Sequence, residues 1–391
     1  MDTNMKTAAD TDMKIAAKPT TPLDDFVIED PYYEWQKREG VRVIHEYVFE
    51  DLSNVELSPW ARKGGAGAFI NLKLRQGELP GDAQLIEIAP GKHSAPERHL
   101  YEENSYVLNG RGATRIWLDG QTPQTFEWQA GSLFSIPLNA HYQHFNAGSE
   151  PARYLSVTNA PQMMRLYRDD DFIFNNPFNF HSRYSGNNSF TGGGKLFNRR
   201  VWETNFIPNA PDMALYGWKE RGAGGINVML EMAKSSLKSH ISEFPVGTYK
   251  KGHRHGPGAH LLILSGVGFS LLWTKDDMSD MQKADWKKGG MVIVPSDACF
   301  HQHFNAGPTR ARYLALRMGD FGLMSPASKD GWNADKSIKE GGWQVEYQDE
   351  NPTIHEIFEG ELEKHGATCR MKAFLADKCH GEVGPTSARD T

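Results

Sequence analysis

The sequence contains the hexapeptide Gln-His-Phe-Asn-Ala-Gly twice, at residues 143–148 and again at 302–307. Each hexapeptide is followed by the tetrapeptide Ala-Arg-Tyr-Leu, and each is preceded by a matching glycine turn, at 107–112 and 263–268. Further upstream, Trp60 and Trp218 each begin a similar glycine-rich stretch. Segments that recur in the same order at a nearly constant offset predict two copies of one domain.

Within each copy the pattern is that of β-structure. Short apolar runs, such as 105–108, 261–264 and 291–294, are bounded by Gly, Pro and Asn. Such runs at close spacing, with no amphipathic helix between them, are typical of a sandwich or a small barrel. Helical signals lie only outside the repeats, at 30–39 and at 353–365, where apolar residues recur at helical spacing.

These patterns predict five segments along the chain. They are a disordered tail at 1–24, an N-terminal domain at 25–168, a linker at 169–198, a C-terminal domain at 199–322, and a C-terminal extension with a short helix at 323–391. The linker has no clear period, so the sequence gives no support for a helix there.

Composition excludes two classes of partner. The 391 residues carry a net charge of −6, and basic residues never form a block. We therefore expect no binding to nucleic acid, and the absence of a long apolar run predicts no membrane span. Cys299, Cys369 and Cys379 fit neither a redox motif nor a zinc ribbon, which favours a reducing compartment and a cytoplasmic protein.

A candidate metal site lies in the second copy, which reads Gly247-x5-His253-Arg-His255 and continues to His301. Residues two apart on a strand point to the same face, so His253 and His255 are expected to enter the barrel together. His301 would add a third imidazole from another strand. Three neutral imidazoles can hold a first-row metal and leave positions open for other ligands.

These motifs resemble the cupin family, in which the pattern G-x5-H-x-H-x3–4-E precedes a later histidine. The resemblance implies an all-β fold of two double-stranded β-helix barrels in tandem, with short flanking helices. The second copy is similar to the gentisate 1,2-dioxygenase group of bicupins. That similarity implies His253, His255 and His301 as iron(II) ligands and His303 as a catalytic, substrate-facing residue, and the cupin resemblance implies a homo-oligomer, either dimer or tetramer. His303 and His144 occupy equivalent positions in the two copies, so a structural role is the alternative for His303.

The identity of the metal depends on position 259, where the cupin pattern has glutamate and this chain has Ala259. A site of three imidazoles without a carboxylate attracts hard Mn(II) less, so Fe(II) is the expected cofactor. Mn, Ni, Cu and Zn remain open. The neighbouring His260 is expected to face away from the barrel interior.

The first copy departs from the histidine pattern. It reads Gly91-x5-Glu97-Arg-His99-x3-Glu103, and Tyr142 stands where the second copy has His301. Two carboxylates, an imidazole and a phenol would suit a second, weaker metal site. The alternative is a barrel without a metal.

The sequence leaves three functions open. The first is a dioxygenase that uses O₂ to oxidise or cleave a small substrate resembling an aromatic hydroxy acid, against an apolar wall that includes Leu261, Ile263 and Phe269. The second is a metal-dependent lyase, decarboxylase or isomerase. The third is a non-catalytic barrel that binds a small ligand.

Overall fold

A computed structural model describes residues 29–72, 80–187, 189–296, 299–318 and 336–375. The predicted tail at 1–24 lies outside the described residues, and so does Cys379. The helices are α1 Pro31–Glu39, α2 Ala160–Tyr167, α3 Asp170–Phe174, α4 Pro352–Lys364 and α5 Lys372–Leu375. Helix α3 lies in the segment 169–198, where the residue pattern does not predict a helix.

The rest of the regular structure is mostly β. The strands are β1 Arg42–His45, β2 Val48–Phe49, β3 Ser58–Trp60, β4 Gly65–Asn71, β5 Asp82–Ile88, β6 Glu103–Asn109, β7 Arg111–Trp117, β8 Gln124–Gln129, β9 Leu133–Ile136, β10 His141–Asn146, β11 Ala152–Thr158, β12 Lys195–Phe197, β13 Val201–Glu203, β14 Phe206–Ile207, β15 Tyr216–Gly217, β16 Ile226–Glu231, β17 Leu237–Phe244, β18 Ala259–Ser265, β19 Val267–Trp273, β20 Gln282–Lys287, β21 Met291–Val294, β22 Phe300–Asn305 and β23 Ala311–Met318.

The two copies fold in the same way, each into a large sheet that faces a three-stranded sheet. In the first barrel the large sheet has the order β1-β4-β5-β11-β6-β9-β14, and the small one β10-β7-β8. In the second barrel the orders are β12-β13-β16-β17-β23-β18-β21-β2 and β20-β19-β22. The corresponding strands pair in the same sequence, which confirms the all-β fold of two tandem barrels.

The barrels exchange short strands. Strand β2, which precedes the first barrel's main strands, pairs with β21 of the second barrel through Val48↔Val292. Conversely, β14 pairs with β9 of the first barrel through Phe206↔Phe134. Each barrel is therefore completed by a strand from the other half of the chain.

Besides the apolar cluster inside the second barrel, three hydrophobic layers of described residues hold this arrangement together. One fills the first barrel, and a second lies between the two large sheets, where Leu85 and Leu155 share a cluster with Ile241 and Leu314. The third lies outside the small sheet of the second barrel, which packs against α4. Helix α4 begins at a capping residue, since the Asn351 side chain accepts a hydrogen bond from the Thr353 amide.

In the part of the chain that the structure describes, we find no helix with the length and apolar character that a bilayer crossing requires.

Candidate metal centre in the second barrel

The three predicted histidines lie together inside the second barrel. His253 and His301 are directly opposite each other across an antiparallel bridge, with backbone hydrogen bonds of 3.0 and 2.8 Å in the two directions. Opposed residues on antiparallel segments project to the same side, and His255 lies two residues further along. Each of the three rings offers a nitrogen atom within 4.8 Å of the other two. This is the convergence that a mononuclear site requires.

Hydrogen bonds fix the tautomers of two of these rings. His253 Nδ1 lies 3.1 Å from the Lys251 carbonyl oxygen, and His301 Nδ1 lies 3.3 Å from that of Cys299. A carbonyl oxygen only accepts, so Nδ1 must carry the proton in both rings. Each Nε2 therefore keeps its lone pair, which is how metal-binding histidines are commonly prepared.

Burial keeps the three imidazoles neutral. It lowers the pKa of His301 to about 3, and it lowers the pKa values of His253 and His255 well below the ordinary value. Neighbouring positive charges push in the same direction, chiefly Arg221 on His253. A proton therefore does not compete with a metal for these nitrogen atoms near neutral pH. The residues present fit a first-row metal ion held by three imidazoles.

Strand β18, which follows His255 along the chain, adds no carboxylate to the three histidines. Ala259 lies with Leu261 and Ile263 in the apolar cluster of the barrel interior. His260 belongs to the opposite face of β18, and burial there lowers its pKa to about 4. The expected outward orientation of His260 agrees with the structure. The expected place of Phe269 is wrong, because Phe269 packs with residues of α4 outside the barrel.

His303 is part of a hydrogen-bonded chain that both barrels share. Its Nδ1 lies 2.8 Å from the Ser270 hydroxyl, which also accepts a hydrogen bond of 3.0 Å from Trp286 Nε1. The first barrel has the same chain, formed by Trp128, Thr114 and His144. A network present in both barrels supports a structural role, so catalysis by His303 stays a prediction.

Sequence reasoning did not identify three cations that line the second barrel. Arg221, Lys250 and Arg317 are each no more than 2% exposed. On β23, Tyr313, Ala315 and Arg317 are spaced two residues apart, and the first two belong to the interior cluster. Side chains alternate along a strand, so Arg317 also points inward.

The charges of these cations act directly on the histidines. Arg317 and Arg221 both lower the pKa of His255 beyond the larger effect of burial, and Lys250 does the same at His303. Lys250 Nζ donates to the Tyr313 hydroxyl at 3.0 Å. The site is therefore a cluster of neutral imidazoles beside two buried guanidinium groups and a buried lysine.

The first barrel places a lysine at the centre of its own predicted set. Lys63 Nζ lies 2.9 Å from a Glu97 carboxylate oxygen and 3.3 Å from the Tyr142 hydroxyl. His99 Nε2 is 3.0 Å from the same hydroxyl and 4.0 Å from Glu103. The four predicted residues do converge, but around an ammonium group. Whether they also bind a metal stays a prediction.

Lys63 is the counterpart of Arg221 in the glycine-rich repeat. Each stands three residues after its tryptophan, Trp60 or Trp218, and each is buried. Burial alone would lower the pKa of Lys63, but the carboxylates around it raise that pKa above its ordinary value. The first barrel thus neutralises the Lys63 ammonium group with Glu97 and Glu103. The second barrel has His253 and Ala259 at the corresponding positions.

Glu103 should make stability depend on pH. Burial raises its pKa to about 7, above the ordinary 4.5. The folded state therefore binds more protons than the unfolded state between these values, and stability falls by about 3 kcal/mol as pH rises from about 4.5 to 7. We expect Glu103→Gln to reduce that decline in urea unfolding followed across this range, while Glu97, whose pKa burial also raises, keeps part of it. The exposed Glu127→Gln serves as control, and an unchanged decline in Glu103→Gln would contradict the assignment.

Comparison with known proteins gives one family and one group of structures. Residues 84–158, which run from β5 to the end of β11, match the family described as Cupin domain. No curated protein matches the chain. Among solved structures, oxalate decarboxylase from Bacillus subtilis at pH 4.6 is similar, with 14% identity, a TM-score of 0.47, and coverage of 73% of this chain and 81% of that chain. The oxalate decarboxylase formate complex from Lactobacillus farciminis has 12% identity, a TM-score of 0.48, and coverage of 71% and 87%.

Proposed function

We propose that the second barrel is the catalytic centre of a metal-dependent enzyme, an Fe(II) dioxygenase that acts on a small carboxylic acid. The observation that carries this proposal is a set of three convergent, neutral imidazoles beside three buried cations. Packing alone does not require three imidazoles whose ring nitrogen atoms converge on a common point. Buried cations beside these imidazoles, in turn, would suit an anionic ligand.

The metal and the chain divide the chemistry between them. Iron(II) held by His253, His255 and His301 would supply Lewis acidity and access to O₂ chemistry. The chain fixes two of the rings, those of His253 and His301, through backbone carbonyls, and burial keeps all three unprotonated. Its apolar wall, which includes Leu261 and Ile263, excludes water from the reacting groups.

The cations would orient the substrate. Charge-assisted hydrogen bonds from an arginine fork to a carboxylate fix both its position and its plane. Arg317 and Arg221 supply such forks beside the histidines, and Lys250 adds a point charge. An aromatic hydroxy acid, the substrate class suggested by the gentisate dioxygenase resemblance, carries the carboxylate that this arrangement would hold.

Removal of one cation should weaken substrate binding. We expect Arg317→Met to lower kcat/KM by roughly 10- to 100-fold, since a hydrogen bond to a charged group contributes about 1.5–3 kcal/mol. The effect should appear mainly in KM, and competitive inhibition by simple carboxylates should weaken in parallel. Arg310→Met, a half-exposed arginine just before β23, is the control. Equal KM values for Arg317→Met and wild type would contradict the role of Arg317.

A second candidate function is a lyase or decarboxylase at the same site. Lys250 favours it, because burial lowers the pKa of its ammonium group well below the ordinary value. A lysine whose pKa is lowered in this way exchanges protons more readily near neutral pH, and protonation of a carbanion requires such a group.

Oxygen consumption separates the two candidates. The protein is loaded with Fe(II) under anaerobic conditions and offered a panel of hydroxybenzoates and catechols in an oxygen electrode. The dioxygenase proposal predicts O₂ uptake in proportion to substrate loss. Release of CO₂ with no O₂ uptake would favour the decarboxylase, and no turnover at all with metal bound would favour a ligand-binding barrel.

A further inference from the structure

We propose a second metal site, selective for Zn²⁺, on the outer side of the second barrel, formed by His355, Glu359 and Cys369. It is separate from the three-histidine centre and does not depend on the proposed function. Each of the three side chains offers a ligand atom within 4.8 Å of the other two. Imidazole, carboxylate and thiolate together form a donor set that suits zinc.

Local structure brings the three donors together. His355 and Glu359 are four residues apart on α4, so they lie on the same face of the helix. The chain then turns at Gly366, whose φ of +63° is the left-handed conformation that glycine adopts at little cost, and runs back to Cys369. His355 and Cys369 are buried, while the Glu359 side chain is 34% exposed. An ion can therefore enter from solvent on the Glu359 side.

The separations of the donor atoms match a tetrahedral zinc site. His355 Nε2 lies 3.1 Å from a Glu359 carboxylate oxygen and 4.0 Å from Cys369 Sγ. Zinc bonds of about 2.0–2.1 Å to nitrogen and oxygen and 2.3 Å to sulfur, at tetrahedral angles, place such pairs about 3.3 and 3.6 Å apart. Shifts of a few tenths of an ångström would complete the coordination, with one position left for water.

Both ring nitrogen atoms of His355 have oxygen partners. The Tyr249 hydroxyl donates to the Glu350 carboxylate, so its oxygen accepts from His355 Nδ1–H at 3.4 Å. Nε2 lies 3.1 Å from a Glu359 carboxylate oxygen, which can only accept, so a proton lies between this pair. A divalent cation would displace that proton and the thiol proton of Cys369, because imidazole, carboxylate and thiolate bind zinc in their deprotonated forms.

The site would attach the C-terminal extension to the catalytic barrel. Glu350, which binds Tyr249, also accepts a hydrogen bond of 3.3 Å from Gln302, the neighbour of His301. Helix α4 packs against the outer face of the same small sheet, where Phe358 shares a cluster with Phe304. Zinc bound to His355, Glu359 and Cys369 would therefore clamp α4 and the turn that follows it behind the strand that carries His301.

Cobalt(II) distinguishes this site from the three-histidine centre. A thiolate bound to Co(II) gives an ultraviolet charge-transfer band that an all-imidazole site lacks. We expect the full-length protein, stripped of metal and titrated with Co(II), to develop this band, and zinc to displace it. The band should persist in His253→Ala, which leaves the outer site intact, so failure of the catalytic proposal would not remove it.

Variants assign the ligands. Cys369→Ser should abolish the band, and Glu359→Gln should weaken cobalt binding at least 10-fold. Cys299→Ser and Glu363→Gln, a buried cysteine elsewhere and an exposed glutamate on the same helix, should leave it unchanged. If wild-type protein binds Co(II) without a charge-transfer band, or if Cys299→Ser rather than Cys369→Ser removes it, the proposal is overturned.

Discussion

Replacement of His253 by alanine is expected to abolish metal binding in the second barrel and, with it, turnover. The His253 ring lies beside both other rings, with its centroid 4.1 Å from that of His301 and 5.6 Å from that of His255. Loss of a residue that only hydrogen-bonds to a metal ligand lowers metal affinity about 10- to 100-fold. Loss of a ligand itself should therefore lower it by more than about 100-fold. Metal content per chain, measured after Fe(II) loading and gel filtration, gives the result.

His260→Ala is the matched control for this experiment. His260 is also a buried histidine near the site, but it lies on the opposite face of β18. Its replacement removes packing contacts but no metal ligand, so the iron content of His260→Ala should equal that of the wild type. Full occupancy of the second barrel in His253→Ala would mean that the ligand assignment is wrong.

The second large effect is expected in the first barrel, where Lys63→Met should destabilise the fold by about 3–5 kcal/mol. The Lys63 and Glu97 side chains are 2% and 5% exposed, and their charged atoms are 2.9 Å apart. Removal of the ammonium leaves a carboxylate buried without a cation, which costs far more than the intact pair contributes. Urea unfolding at pH 7 measures the loss of stability.

A double variant separates charge from packing. Lys63→Met combined with Glu97→Gln removes both charges, so it should recover part of the stability lost in the single variant. The exposed Lys92→Met is the control and should change stability little. A loss below 1 kcal/mol in Lys63→Met, or a metal bound to Glu97 in the wild type, would contradict the view that the lysine takes the place of a metal.

The sequence contains enough local information to predict the fold and the three-histidine set. The duplicated hexapeptide shows that one domain occurs twice, and the spacing of His253 and His255 places both rings on one face of an extended segment. The match between His301 and Tyr142 in the repeat then identifies the barrel that keeps the third imidazole. Each of these inferences needs only the period of a strand and the alignment of two copies.

The buried cations could not be predicted from the order of the residues along the chain alone. Arg317 follows an apolar run, and only the pairing of β23 shows which of its faces lines the barrel. Arg221 could have been found, because the glycine-rich repeat aligns it with Lys63. Phe269 was assigned to the barrel wall because the register between β18 and β19 cannot be read across the intervening turn.

The exchanged strands β2 and β14 were missed for a different reason. Each is two residues long, and a pair such as Val48–Phe49 has no periodicity to detect. Their pairing follows from the shape of the partner barrel, so it is settled only when both barrels are folded.

The most direct test of the central claim is an anomalous-scattering map from a crystal of the iron-loaded protein, collected at the iron absorption edge. We expect one peak in the second barrel, within about 2.0–2.2 Å of a nitrogen atom of each of His253, His255 and His301. A map with no peak at that point, or with its iron peak among Glu97, His99 and Glu103 instead, would contradict it.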